Sequence, residues 1–431
     1  MSDESATKRY DRFMSNTKAA RPLLPRHASS EVKRALHDTR VVLINGARQV
    51  GKSTLAAEVL RGQRGARQLT LDDQPVLEAA RADPVSFVRH EGTLLIDEVQ
   101  RVPELFLAIK AAVDRDVRPG QFLLTGSAQV LSLPRLSDSL AGRMEIVELW
   151  PLSQGELRRR RERFVDELLA GGSMLHVQGS LEKHDYLELA VAGGFPEAAR
   201  RAPDRRARWF ESYVRTLVQR DIKELADIER LGEVPRILRL LAARTAGVLN
   251  LDALARDCRM APSTLRRYLS LLETAFIFTA VPAWSNNKTT RLVRSPKIFL
   301  SDSGLAAHLL GATATSLARP TGSAGQVLET FITMELRRQV GWSKERASLY
   351  HMRTKEHLEV DVVIEAADGR VSGVEVKAAA TVGSADFAGL RYLANKTNEA
   401  FACGVVLYTG VEPLTFGSNL FAIPMSSVWE S

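Results

Sequence analysis

The stretch Gly46-Ala47-Arg48-Gln49-Val50-Gly51-Lys52-Ser53 fits the pattern G-x-x-x-x-G-K-[ST], and its reading decides the fold. Four of the eight positions are specified, so a chance match in a chain of this length is expected in about 1–2% of proteins. The flanks agree with the motif. Arg40–Asn45 reads as a buried strand and Ser53–Leu60 as a helix. Strand, glycine loop and helix form the geometry that turns backbone N–H groups toward a phosphate. The expected cradle for ATP runs through Gly46, Ala47, Arg48, Gln49, Val50, Gly51, Lys52, Ser53 and Thr54. Lys52 would reach the β- and γ-phosphates, and the Ser53 hydroxyl would meet Mg²⁺.

Working outward, Thr93-Leu94-Leu95-Ile96-Asp97-Glu98 is an apolar run that ends in two acids. This is the form of a Walker B strand. Asp97 would hold Mg²⁺ through water, and Glu98 would polarise the attacking water as general base. Consecutive Asp-Glu favours ATP hydrolysis over simple nucleotide binding. Between residues 31 and 150 strand-like runs (Val41–Asn45, Gln68–Leu71, Thr93–Asp97, Phe122–Thr125, Glu145–Leu149) alternate with helical stretches such as Pro103–Arg115. That alternation argues for a parallel α/β sheet covered on both faces. Leu123–Ser127 leaves its strand through small polar residues. Ser127 is the expected γ-phosphate sensor, with Thr125 in reserve. Arg143, just before the last strand, reads either as an arginine that reaches a neighbouring subunit's γ-phosphate in trans or as a surface arginine with no role; Arg220 is the alternative trans residue.

The chain has 431 residues, 45% hydrophobic and 26% charged, which describes a globular protein of two to four domains. No apolar run approaches the ~18–20 residues of a membrane helix, and Met1–Arg26 has no apolar signal core, so a cytoplasmic location is expected. Two cysteines, Cys258 and Cys403, stand in no metal spacing. The net charge is +8. Residues 151–322 carry 27 Lys+Arg against 19 Asp+Glu, whereas residues 323–431 carry 10 against 13. A basic middle points either to a polyanion, DNA first, or to a solubilising arginine-rich surface.

Residues 1–30 read as a flexible basic tail, and 151–245 as a helical, arginine-rich lid or linker with a run of four at Arg158–Arg161. In 246–322, Leu251–Arg256 and Pro262–Leu272 form two helices around a tight turn, with proline opening the second. Ser263, Thr264, Arg266 and Arg267 would be its exposed, DNA-facing residues. Phe276–Val281 and Lys297–Leu300 could flank a wing whose tip carries Lys288, Arg291 and Arg294, set for phosphate contact. A helical hairpin used only for packing is the alternative. In 323–431, a helix holding Glu329, a strand holding Asp361 and a strand holding Glu375 and Lys377 form the pattern of endonuclease active sites. The two carboxylates on strands would bind Mg²⁺, and Lys377 would face the scissile phosphate. The chain also carries Glu31-Val32-Lys33 in no such setting, so that pattern is short.

Together these stretches, with Gly193–Glu197, Gln219–Ile222, Ser263–Glu273 and Asp302–Leu305, resemble a prokaryotic family of AAA-type P-loop ATPases with a C-terminal domain of unknown function. The resemblance runs from about Val32 to the end. It implies an α/β fold: a P-loop NTPase (AAA+-like) parallel sheet, then a helical and winged-helix region, then an α/β restriction-endonuclease-like domain. It also implies ATP and Mg²⁺ as cofactors, and supports Lys52, Ser53, Asp97, Glu98, Ser127 and Arg143 in the roles above. A homo-oligomeric ring, such as a hexamer, that moves on or remodels DNA is the leading expectation. A nucleotide-gated regulatory or defence switch acting through protein partners is the other. The resemblance leaves the activity of the nuclease-like site open.

Overall fold

Val41–Asn45 (β1) is apolar almost throughout because both of its faces are covered. Val42 and Ile44 enter one core while Val41 and Leu43 enter another, and such a strand shows no polar alternation. The computed structural model describes residues 23–126, 140–172, 178–222 and 231–431. An amphipathic helix, Ala28–Asp38 (α1), leads into β1, and Lys52–Leu60 (α2) leaves it. Arg67–Thr70 (β2), Leu94–Asp97 (β3), Phe122–Thr125 (β4) and Met144–Glu148 (β5) complete a five-stranded sheet in the order β2-β3-β4-β1-β5. Every pairing in it is parallel. The glycine loop after β1, Asp97 at the end of β3 and Thr125 at the end of β4 therefore emerge along one edge, where ligands bind in open α/β sheets. Leu105–Arg115 (α3) packs Leu105, Phe106, Ile109 and Val113 on the sheet.

The amino-terminal boundary differs from the sequence expectation. Residues 23–30 are not a free tail. His27 is buried, the Arg26 side chain is 8% exposed, and α1 already begins at Ala28. The reason is ionic. Arg26 Nε meets Glu156 Oε1 at 3.1 Å, and the His27 backbone N–H donates to the same oxygen at 2.7 Å. Part of the run at 158–161 is likewise no solvated face, because the Arg158 guanidinium lies 5.4 Å from the Trp429 ring centroid.

Further along, Gly247–Val248 (β6), Phe278–Val281 (β7) and Lys297–Leu300 (β8) make a small antiparallel sheet with β8 central. Beside it stand Leu251–Cys258 (α4) and Pro262–Thr274 (α5). Asn250 caps α4 through the Ala253 N–H, Arg259 turns the chain in the left-handed region, and Pro262 opens α5. Lys288–Val293 is a short helix (α6) between β7 and β8. The C-terminal part begins with Ala324–Val340 (α7). A meander of Ala347–Arg353 (β9), Glu359–Ala366 (β10) and Val371–Lys377 (β11) follows, then Ala388–Thr397 (α8) and Phe401–Tyr408 (β12) parallel to β11. Leu414–Gly417 (β13) and Leu420–Pro424 (β14) extend the sheet to the order β13-β14-β12-β11-β10-β9.

These parts share one continuous apolar core that runs from α1 to Trp429. Two motifs from the sequence meet inside it. Asp302 is fully buried and accepts from the Gly194 N–H at 2.7 Å and the Leu305 N–H at 2.9 Å. A Cβ on Gly193 would lie 2.3 Å from the Asp302 carboxylate, so only glycine fits. Arg338 answers this buried acid at 4.0 Å and pairs with Glu335 at 2.7 Å. Glu335 in turn accepts from the Gln154 N–H at 2.9 Å. Burial pushes the Glu335 carboxyl up to about 8. Among the described residues no helix is long and apolar enough to cross a membrane.

Candidate functional site: the phosphate loop and its surroundings

The loop after β1 depends on two glycines for different reasons. At Gly46 a Cβ would lie 2.1 Å from the Leu149 carbonyl oxygen, so the chain passes under the exit of β5 only without a side chain. Gly51 caps α2 with φ +93°, in the left-handed region. Lys52 is buried, and its ammonium bonds to the carbonyls of Gly46 (3.0 Å) and Ala47 (2.9 Å). The Ser53 hydroxyl donates to Asp97 Oδ1 at 2.7 Å. The Thr125 hydroxyl donates to the same oxygen, and Thr70 reaches Oδ2 at 3.4 Å. The structure thus brings Lys52, Ser53 and Asp97 together across β1, β3 and β4. Glu98 follows with φ +59°, its N–H on the Thr125 hydroxyl at 3.3 Å and its carboxylate accepting from Gln100. Thr125 therefore links both Walker B acids.

The donor set fits Mg²⁺ and a nucleotide triphosphate. A nine-residue helix presents its N-terminus to the loop, a buried ammonium lies against the loop, and a hydroxyl–carboxylate pair waits beside both. Asn45, at the mouth of the loop, is fully buried with neither side-chain polar atom bonded. Burying such a group without a partner costs about 1–3 kcal/mol, as expected beside a polar occupant.

Arg26 was not found by sequence reasoning, because it lies 24 residues before Val50 with no local signal. Its guanidinium donates to the Val50 carbonyl and the Trp150 carbonyl, both at 2.6 Å, as well as to Glu156. It clamps the loop to the strand β5 exit. Arg26→Ala is expected to weaken ATP binding about tenfold by loosening the loop, since a hydrogen bond from a charged group is worth about 1.5–3 kcal/mol. Titration with a fluorescent ATP analogue measures this; unchanged affinity would remove the clamp role.

The remaining predicted residues are distributed as follows. Ser127 lies outside the described residues. Arg143 precedes β5, at the end of the sheet away from the phosphate loop, and forms a two-pronged pair with Asp114 (2.5 and 3.1 Å). Ser263, Thr264, Arg266 and Arg267 are all exposed on α5, while Leu265, Leu269 and Leu272 on its other side enter the core.

The wing expectation needs correction. The segment between β7 and β8 is not a free tip but docks on the C-terminal sheet. The Trp284 N–H donates to the His351 carbonyl at 2.6 Å, and Trp284 Nε1 donates to Glu365 at 2.7 Å. Arg291 pairs with Glu365 at 2.7 Å and lies 4.8 Å from the Tyr350 ring centroid, with its side chain only 11% exposed. Its cation is consumed inside the protein and is not offered to phosphate. Arg294 stays exposed, and Lys288 begins α6.

Glu329, Asp361, Glu375 and Lys377 do converge, from α7, β10 and β11. The Lys377 ammonium meets Glu375 Oε1 at 2.9 Å. A residue absent from the sequence expectation, Lys297 of β8, meets both Asp361 (2.9 Å) and Glu329. Burial, then the Asp361 charge, pushes the Glu375 carboxyl up to about 7. Burial likewise raises Glu329 well above the usual range. Burial opposes the Lys297 charge, but the Asp361 and Glu329 carboxylates outweigh it and hold the ammonium above the ordinary lysine range.

Sheet order, phosphate loop and Walker B geometry define a P-loop ATPase fold of the AAA class. Residues 38–158 match the family described as AAA domain, 183–316 a domain of unknown function (DUF8612), and 324–428 a domain of unknown function (DUF4143). The uncharacterized protein Rv2008c of Mycobacterium tuberculosis is 32% identical over 359 residues, 83% of this chain and 74% of its own. An uncharacterized protein of Haemophilus influenzae is 24% identical over 282 residues, 64% of this chain and 63% of its own. Among solved structures, the Walker-type ATPase paby2304 of Pyrococcus abyssi aligns with a TM-score of 0.40 and 17% identity, over 68% of this chain and 98% of that one. The chain, with its AAA domain and C-terminal domain of unknown function, belongs to the same family as Rv2008c.

Proposed function

We propose that the protein hydrolyses ATP with Mg²⁺ and couples turnover to DNA. The carrying observation is the Ser53–Asp97–Thr125 cluster beside Lys52 and Glu98. Bound Mg²⁺ and ATP supply the labile phosphoryl group and the positive charge that steadies it. The chain does the rest. Lys52 exchanges its loop carbonyls for phosphate oxygens, Ser53 and Asp97 hold the metal end, and Glu98 takes the proton of the attacking water. Arg143 serves a neighbouring copy in a ring, which requires its pair with Asp114 to open. DNA binds the exposed face of α5 through Ser263, Thr264, Arg266 and Arg267, and Arg294 adds phosphate contact. Movement on or remodelling of DNA, branched DNA included, follows from that coupling.

A nucleotide-gated switch acting through protein partners is the second reading. It is favoured by the wing segment being spent on an internal contact and by Arg26 tying the loop to the rest of the chain. ATP turnover with and without duplex and branched DNA separates the two. Several-fold stimulation is expected, lost in Arg266→Ala/Arg267→Ala while DNA-free turnover persists. Each lost phosphate contact should also lower the salt slope of DNA affinity by about 0.9. Turnover and binding indifferent to all DNA would end the DNA reading and leave the switch.

A further inference from the structure

The acidic cluster of the C-terminal sheet has the residues of a metal-dependent nuclease but not the space for its metal. Its carboxylates come from three elements: Glu329 from α7, Asp361 from β10 and Glu375 from β11. In a two-carboxylate Mg²⁺ site the ion sits between acids on neighbouring elements and keeps several waters. That position is taken here. The Lys297 ammonium contacts both Glu329 and Asp361. Three further oxygens are engaged as well. Asp361 Oδ2 accepts from the Val376 N–H at 3.0 Å, Glu375 Oε1 from Lys377 at 2.9 Å, and Glu375 Oε2 from the Asp361 N–H at 3.4 Å. Among the described residues no group of three or more His, Cys, Asp or Glu side chains is arranged to hold a metal ion.

Lys297 is not a surface side chain that could swing away. It is 6% exposed and sits at the start of β8, the central strand of its sheet, paired to Val248 on one side and Val281 on the other. To leave the acids it would have to drag that strand from both neighbours or move its charge through the apolar core. The lysine also comes from outside the C-terminal sheet, so the contact joins two parts of the chain.

We propose that Lys297 is the permanent counter-ion of this cluster, in place of a divalent cation, so that the C-terminal domain takes no metal there and does not cut DNA. The nuclease-like pattern then survives as an ionic joint between β8, α7 and β10. This inference is independent of the ATPase reading, since it concerns neither the phosphate loop nor α5.

The test uses the full chain without nucleotide and Mn²⁺ as probe, read by electron paramagnetic resonance and by titration calorimetry. Wild type and Asp361→Asn are expected to bind Mn²⁺ identically, and neither should nick supercoiled or branched DNA with Mn²⁺ or Mg²⁺. Lys297→Met, which frees two carboxylates, is expected to gain one Mn²⁺ equivalent at least tenfold tighter than any site in wild type. Adding Asp361→Asn should remove that gain. A wild-type Mn²⁺ equivalent lost in Asp361→Asn, or DNA cleavage lost with it, would overturn the proposal. So would a Lys297→Met protein that melts cooperatively yet gains no site. If Lys297→Met fails to fold, the comparison of wild type with Asp361→Asn decides alone.

Discussion

Glu98→Gln is expected to stop ATP hydrolysis while leaving ATP bound. General-base catalysis contributes about 10²–10⁴-fold, and the amide cannot accept the proton of the attacking water. The substitution changes little else. Glutamine has nearly the same shape, the backbone N–H of residue 98 would still reach the Thr125 hydroxyl, and the left-handed backbone is unaffected by a change beyond Cβ. Gln100, which donates to the Glu98 carboxylate, can still donate to an amide oxygen. Single-turnover hydrolysis should fall at least about 100-fold with ATP affinity within a few-fold of wild type. If hydrolysis persists at more than a tenth of the wild-type rate, another group activates the water.

Lys52→Ala is expected to act earlier, on binding itself. The ammonium makes charge-assisted hydrogen bonds worth about 1.5–3 kcal/mol each, and two such bonds to phosphate predict at least about a 100-fold loss of ATP affinity, with turnover lost alongside. Lys52 is also buried, so the fold must be checked in the same experiment. The folded protein loses contacts that include two charge-assisted bonds to loop carbonyls, about 1.5–3 kcal/mol each, so the melting temperature is measured beside the affinity. A variant that melts like wild type yet binds ATP normally would refute the phosphate-loop assignment. The two variants therefore give different signatures: Glu98→Gln separates binding from chemistry, and Lys52→Ala loses both.

Much of this was legible in the chain because the signals were local. The glycine loop encodes its own turn: position 46 has no room for a Cβ and position 51 needs a left-handed φ. The three central strands β1, β3 and β4 were legible because buried parallel strands are short apolar runs between turns, whereas the edge strands β2 and β5 are largely exposed. α5 could be found from Pro262 and from the 3–4 spacing of Leu265, Leu269 and Leu272. Glu375 and Lys377 could be paired on one face because strand side chains alternate.

What failed to show were contacts between residues far apart in sequence. Arg26 looked like part of a polar tail because its partners, Val50, Trp150 and Glu156, are 24 to 130 residues away. Arg291 looked like a wing cation because nothing near it announces Glu365 and the Tyr350 ring. Lys297 was an ordinary first residue of an apolar strand until folding set it between two acids 32 and 64 positions downstream.

By itself, then, the sequence determined the phosphate loop, the Walker B acids, the parallel sheet and the helix pair, since each rests on backbone conformation or on a periodicity set by neighbours in the chain. Only the tertiary structure decided which charges are spent internally and which remain for a partner. A charge reports its type in the sequence, but its availability depends on what the folded chain brings within about 4 Å of it.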